Sequence, residues 1–132
     1  MPGTDRAELA AIFAGGFLGA VLRYALTEAL PADPGAWPWA TFVENVVGAA
    51  LLGYFATRLQ ERLPLSAYRR PFLATGLCGT LTTFSTLQLE LLHMLDRSEY
   101  ALAAGYAAAS LTAGAVVVFV ATKLVRRVRV LA

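Results

Sequence analysis

The segment that decides how this chain folds is 71–95, which reads PFLATGLCGTLTTFSTLQLELLHML. It is apolar enough to cross a bilayer, because its only ionisable side chains other than Cys78 are Glu90 and His93, close to its end. Hydrocarbon offers no water to hydroxyl groups, so hydroxyls at that depth must face protein or an aqueous path. Five hydroxyl side chains nevertheless lie in seven central positions, too many for a passive anchor: Thr80, Thr82, Thr83, Ser85 and Thr86. The segment therefore predicts a route for something polar.

Three further stretches have the same apolar character, at about 9–30, 39–57 and 100–122. A membrane crossing needs about 20 residues at a rise of ~1.5 Å each, so all four stretches are long enough. The whole composition agrees, with 58% hydrophobic residues, 15% charged residues and a mean hydropathy of +0.59. We predict an all-α membrane protein that forms one domain over residues 1–132, with four transmembrane helices.

The third of these helices is expected to be broken near its middle. Gly76, Gly79 and the threonines that follow them are poor helix formers. A break frees backbone carbonyls, which hydrocarbon does not tolerate unless a cation or a protein group satisfies them. The sequence therefore predicts that this break contacts an ion or another part of the protein.

A polar side chain on the second helix belongs to the same argument. Asn45 places an uncharged amide inside the membrane, on a helix face shared with Thr41 and Gly48. A polar residue inside the membrane is expected to have a function unless another role explains it. The alternative is an interhelical hydrogen bond, worth roughly 0.6 kcal/mol. Because the hydroxyls of the third helix lie at similar depth, we favour a function for Asn45.

Lysine and arginine are distributed unevenly between the two ends of the helices. Nine of the eleven lie on the side shared by the N-terminus, the charged loop at 60–70 with its Pro64, and the C-terminus. The other side holds Arg23 and Arg97. Basic residues near helix ends stay in the cytoplasm, so both termini are expected there.

Small residues predict close helix packing and an oligomer. Gly15, Gly16 and Gly19 on the first helix, and Gly48 and Gly53 on the second, let helix backbones approach closely. Four helices of this length enclose little volume within one copy. We therefore expect the polar route to involve more than one subunit.

Three motifs, in chain order, resemble those of the CrcB/Fluc fluoride channels. They are Gly15-Gly16-x-x-Gly19-Ala20-x-x-Arg23-Tyr24, Asn45-x-x-Gly48, and Thr75-Gly76-x-Cys78-Gly79-x-x-Thr82-Thr83-Phe84-Ser85-Thr86. The likeness extends over all four predicted helices, and the third motif is the most specific. It implies a passive channel in the bacterial plasma membrane that exports fluoride from the cytoplasm and lowers its toxicity. It also implies an antiparallel dimer with two narrow pores and a structural sodium ion at the dimer interface.

The resemblance assigns roles to individual residues. Asn45 corresponds to the pore asparagine and Phe84 to the first pore phenylalanine, whose positive ring edge favours an anion. The backbone carbonyls of Gly79 and Thr82 correspond to the sodium ligands, since carbonyl oxygens suit a hard cation. Five other residues are placed along the fluoride pathway by the resemblance: Arg23, Ser85, Thr86, Tyr106 and Ser110.

Two residues depart from the family pattern. Leu87 replaces a second pore phenylalanine, which predicts that one of the two pores conducts poorly or is only structural. Glu44 stands where the family generally has an aliphatic residue, and a buried carboxylate must be protonated or paired. An antiparallel homodimer also needs one sequence to insert both ways, which the uneven basic charge opposes. We therefore predict a heterodimer with an oppositely oriented homologue, and the homodimer is the close alternative.

Two other functions stay open at this point. A small four-helix proton-coupled multidrug exporter has a similar size, but it needs a carboxylate deep in the membrane, for which Glu44 is a weak candidate. The chain could also be a non-conducting scaffold, or the non-conducting subunit of a heterodimeric channel. We expect no enzyme, because His93 is alone near a helix end and Cys78 has no base beside it in the sequence.

Overall fold

A computed structural model describes residues 5–61 and 68–130, and within these ranges all regular secondary structure is helical. The predicted charged loop at 60–70, with Pro64, lies largely outside the described residues. The elements are helix α1 (Arg6–Ala29), helix α2 (Trp39–Glu61), a π-helical segment (Pro71–Cys78), the single turn α3 (Gly79–Leu81), helix α4 (Phe84–Asp96) and helix α5 (Tyr100–Val130).

Local sequence signals set the ends of α1. The side chain of Asp5 accepts a hydrogen bond from the amide of Ala7 at 3.1 Å, which satisfies one of the free donors of the first turn. The helix ends before Pro31, and the connection to α2 turns at Gly35. Gly35 has a φ of +83°, a conformation that glycine adopts without steric cost.

Three helices are long and apolar enough to cross a membrane: Arg6–Ala29, Trp39–Leu59 and Tyr100–Val128. Only 11%, 28% and 6% of their most apolar windows are buried inside the chain. Apolar surface of this extent must be covered by lipid or by another protein. The chain is therefore a multi-pass membrane protein whose helices expose most of their apolar surface.

The third predicted crossing is divided in the structure. The π-helical segment ends at Cys78, and α3 follows it directly and ends at Leu81. Helix α4 begins at Phe84. Between them Thr82 and Thr83 have extended backbones, with φ and ψ of −80° and 148°, and of −144° and 116°. Neither half is long enough to span a bilayer alone, since a helical crossing needs about 20 residues.

Glycines allow α1 to lie directly against the π-helical segment. A Cβ atom at Gly15 would collide with the carbonyl oxygen of Phe72, and one at Gly19 would collide with the carbonyl oxygen of Leu77. The hydroxyl of Thr80 donates to the carbonyl of Gly16 at 2.8 Å across the same contact. Larger residues at these positions would force the two backbones apart.

The other extensive contact joins α2 to α5, and α4 also packs against α5. Helix α5 continues beyond Thr122, where the sequence predicted its end, because basic residues do not stop a helix. The Lys123 ammonium lies 5.4 Å from the ring centroid of Phe119.

Candidate functional site

The gap between α3 and α4 is held by the side chain of Asn45 from α2. The Asn45 amide nitrogen donates to the carbonyl oxygen of Thr83 at 3.0 Å, and the amide of Thr83 donates to Asn45 Oδ1 at 2.7 Å. Thr83 is buried, so its peptide groups would otherwise lack partners. One hydrogen of the Asn45 amide is not used in this exchange, because an NH₂ group carries two donors.

Thr83 also starts the second half of the divided segment. Its hydroxyl oxygen accepts a hydrogen bond from the amide of Thr86 at 3.2 Å, so Thr83 is the N-cap of α4. The same hydroxyl lies 2.9 Å from the hydroxyl of Thr86 and 3.4 Å from that of Ser85. We call Asn45, Thr82, Thr83, Ser85 and Thr86 the polar junction.

A glycine on α2 makes room for the polar junction. A Cβ atom at Gly48 would collide with the Cγ2 methyl of Thr82. The Thr82 hydroxyl donates to the carbonyl of Cys78 at 2.9 Å, which closes the last turn of α3. Asn45 and Gly48 therefore occupy consecutive positions of one α2 face, which explains their spacing of three.

Phe84 and Ser85 lie on the surface of the chain. Phe84 is 71% exposed, directly after the gap, and Ser85 is exposed beside it. A path that uses the Phe84 ring cannot be enclosed by this one chain. The Ser85 hydroxyl lies 3.4 Å from that of Thr83, and Phe84 is the residue between them.

Tyr106 lies inside the subunit and contacts a carboxyl group of α4. It is fully buried, and its hydroxyl donates to Glu90 Oε2 at 2.6 Å. Thr41 donates to the other oxygen of the same carboxylate at 2.7 Å. The Tyr106 ring packs edge-on against Trp37, with centroids 5.3 Å apart. Thr41 was not among the predicted pathway residues, although it lies four positions from Asn45 on the same helix face.

The remaining predicted residues lie apart from the polar junction or at its edge. Arg23 lines a cavity of about 610 Å³ between the end of α1, the start of α2 and α4, together with Glu44, Thr86 and Glu90. The hydroxyl of Ser110 is buried and makes no hydrogen bond within the described residues. The structure thus connects Arg23 to Thr86 through the cavity and leaves Ser110 without a polar contact in the described part of the chain.

The two residues predicted to bind sodium flank the last turn of α3. Gly79 is exposed, and a Cβ atom built there would meet no atom of the described residues within 4 Å. In a continuous α-helix its carbonyl would accept from the amide of Thr83, four residues on. That amide donates to Asn45 instead, so the Gly79 carbonyl loses its helical partner.

Known proteins are similar to this chain over the segments described above. The sequence profile of the family described as "CrcB-like protein, Camphor Resistance (CrcB)" matches residues 10–122. The chain is 59% identical over 130 residues to "Fluoride-specific ion channel FluC 1" of Mycobacterium bovis, covering 98% of both chains. It is 60% identical over 126 residues to the protein of the same name in Mycolicibacterium paratuberculosis, covering 96% of both.

A more distant relative retains much of the same length. "Fluoride-specific ion channel FluC 2" of Nocardia farcinica is 42% identical over 113 residues, which is 86% of this chain and 81% of that protein. The matched range, residues 10–122, spans the positions of the polar junction, the divided segment and the glycine contacts described above. The chain belongs to the CrcB-like protein family.

Proposed function

We propose that this chain is a subunit of a passive fluoride channel that lets fluoride leave the bacterial cytoplasm. Three relatives with 42% to 60% identity are named fluoride-specific ion channels, which supports the substrate. The observation that carries the proposal is the polar junction, which gathers one amide and four hydroxyls around the exposed residue Phe84 in a largely apolar protein.

The junction offers what a partly dehydrated anion needs. The second hydrogen of the Asn45 amide and the hydroxyls of Ser85 and Thr86 can replace water as donors. The ring edge of Phe84 carries partial positive charge and attracts an anion weakly enough for it to leave. Arg23 lines the neighbouring cavity and raises the local concentration of anions at its mouth.

An antiparallel dimer is part of the proposal. Phe84 and Ser85 are exposed, and the space around Gly79 is open, so a second subunit has room to cover this face. The divided segment then acts as a broken transmembrane helix, and with the three long helices it gives four crossings in each subunit. Non-helical backbone at membrane depth is tolerated where it is buried in protein.

We further propose that a structural sodium ion lies at the dimer interface, held by backbone carbonyls of Gly79 and Thr82. The residues fit this ion, because the Gly79 carbonyl has lost its helical hydrogen-bond partner and lies on an exposed face. Carbonyl oxygens are ligands that hard cations prefer. The ion would be coordinated by the freed carbonyl oxygens of the break when two subunits meet, which would satisfy these oxygens.

The preferred partner is a homologue inserted in the opposite orientation, and a second copy of this chain is the alternative. The uneven distribution of basic residues favours one orientation for this chain, with both termini in the cytoplasm. Leu87 packs against the cluster of Met94, Ala103 and Tyr106 within its own subunit. Because leucine is aliphatic, Leu87 has no ring edge to offer a pore. This supports the proposal that the two pores differ.

Liposomes that contain the purified chain, alone or with such a homologue, test the proposed function. We expect fast fluoride efflux, recorded with a fluoride electrode, and no chloride efflux above that of protein-free liposomes. Absence of fluoride efflux in both preparations would contradict the channel and favour a non-conducting scaffold.

One observation keeps the multidrug exporter as a second candidate. Glu44 is only 2% exposed on a membrane helix, which is where such an exporter needs its proton-binding carboxylate. An exporter would take up a lipophilic cation into liposomes in response to a proton gradient, and Glu44→Gln would abolish the uptake. A channel would show no such uptake with either protein.

A further inference from the structure

Glu44 is a deeply buried carboxyl group with no ion pair among the described residues. It lines the cavity that also contains Arg23 and Glu90. Its one hydrogen-bonding contact joins Oε1 to the hydroxyl of Thr27 on α1, at 3.2 Å, and Oε2 has no partner in the described part of the chain. The Glu44 side chain is only 2% exposed, and burial disfavours the charged form of a carboxyl group.

The contacts of Thr27 favour a neutral Glu44. The Thr27 hydroxyl oxygen lies 3.0 Å from the carbonyl oxygen of Arg23 and 3.2 Å from Glu44 Oε1. A hydroxyl has one hydrogen, so it cannot serve both acceptors fully. If Glu44 carries a proton, it donates to Thr27 and Thr27 donates to Arg23. Every polar hydrogen in the chain of three groups then has an acceptor.

Glu90, which lines the same cavity, has the contrasting environment. Each of its carboxylate oxygens accepts a short hydrogen bond, from Thr41 and from Tyr106. The two carboxyl groups of the cavity therefore differ in their contacts, since both oxygens of Glu90 accept hydrogen bonds and Glu44 has one shared contact with Thr27.

The other groups that face Glu44 fix the charge of the cavity. From α1 these are Arg23 and the exposed carboxylate of Glu28; from α4 it is Glu90; from α5 it is the phenol of Tyr106. Arg23 attracts the Glu44 charge and Glu90 repels it. With Glu44 neutral, the positive charge of Arg23 is opposed by one fewer carboxylate.

We propose that Glu44 is a proton-binding site beside the conduction pathway, whose proton keeps Arg23 able to attract anions. Loss of this proton adds a further negative charge to the wall of the cavity, which already contains Glu28 and Glu90. The attraction of Arg23 for anions is then opposed more strongly, and anions enter the cavity less often. This inference rests on the proposed function, because it treats Arg23 as part of a fluoride path.

The test is the dependence of fluoride efflux on pH, from neutral to alkaline, in liposomes with wild-type protein, with Glu44→Gln and with Glu28→Gln. Fluoride is already almost fully ionised over this range, so the transported species does not change. We expect wild-type efflux to fall about tenfold, the lower end of what electrostatic steering contributes to an encounter rate. Glu44→Gln should stay constant, because glutamine keeps a donor and cannot ionise.

Glu28→Gln is the matched control, since Glu28 lines the same cavity but is exposed, whereas Glu44 is buried. Its pH profile should follow that of the wild type. A wild-type profile as flat as that of Glu44→Gln would overturn the inference. If no variant conducts fluoride at any pH, the proposed function itself has failed.

Infrared spectroscopy decides the protonation state without fluoride transport. The difference spectrum between wild type and Glu44→Gln at neutral pH should contain the C=O stretch of a neutral carboxylic acid. This band should vanish from the wild type as the pH is raised. A difference spectrum that shows only ionised carboxylate at neutral pH would overturn the inference, whether or not the protein conducts.

Discussion

The carboxamide of Asn45 and the peptide groups of Thr83 exchange two hydrogen bonds, at 2.7 and 3.0 Å, across the contact between α2 and the divided segment. The side chain takes the place of a neighbouring peptide, so the chain can leave the helical conformation without burying unpaired groups. The exchange also diverts the Thr83 amide from the Gly79 carbonyl. One side chain thereby stabilises the break and frees the carbonyl proposed to bind sodium.

Asn45→Leu should lower the free energy of unfolding by about 1–3 kcal/mol, because it leaves buried peptide groups of Thr83 unsatisfied. Thermal unfolding of the detergent-solubilised protein measures this. Ser110→Ala is the control, since the Ser110 hydroxyl makes no hydrogen bond within the described residues and its loss should change little. Equal stability of the two variants would show that the exchange does not support the fold.

Phe84→Ile should slow fluoride efflux and leave the stability of the subunit within about 0.5 kcal/mol, because the ring is exposed in the chain. The loss follows from removing the positive ring edge. Phe13→Ile is the control: Phe13 is 76% exposed on α1, away from the polar junction. Equal efflux rates for the two variants would show that the Phe84 ring is not part of the pathway.

Gly48→Ala should destabilise the protein by about 1–3 kcal/mol and reduce efflux, because the new methyl group collides with Thr82. Gly105→Ala meets no atom of the described residues within 4 Å, and alanine is the better helix former, so its stability should be equal or higher. Unfolding temperatures of both variants check this. A tolerated Gly48→Ala would show that α2 and the junction are not closely packed.

A single orientation is expected for this chain, since its basic residues are concentrated at one end of the helices. Cysteines introduced separately as Ala7→Cys and Ala32→Cys should react differently with a membrane-impermeant maleimide on intact cells, with only Ala32→Cys labelled. The native Cys78 is 2% exposed and should not interfere. Comparable labelling of both would contradict the heterodimer and support a homodimer.

The sequence predicted the helical class and the apolar membrane helices, because long apolar runs are visible in the sequence directly. It did not predict that Asn45 bonds to the backbone of Thr83, because that contact joins residues 38 positions apart. Nor did it predict that the Tyr106 hydroxyl donates a hydrogen bond to Glu90, because the position of a residue on a helix face does not identify the side chain that it contacts. The π-helical turn after Pro71 has no periodic signal in a run that is apolar on every side.

The sequence also could not show which residue contacts the Glu44 carboxyl group, because that residue comes from another helix. Its contact, Thr27, lies 17 positions away on α1. Thr27 falls in the apolar first stretch, where a single threonine is unremarkable because its hydroxyl can bond to its own helix. Only the packing of α1 against α2 shows that this hydroxyl also reaches a carboxyl group.

Fluoride efflux through Asn45→Asp tests the central claim most directly. Aspartate keeps an acceptor for the Thr83 amide, but it removes the donor to the Thr83 carbonyl and adds a negative charge beside the anion path. We predict that this variant, reconstituted as the wild type is and shown to be folded, releases fluoride no faster than protein-free liposomes. Efflux at the wild-type rate would contradict a path past Asn45 and with it the proposed channel.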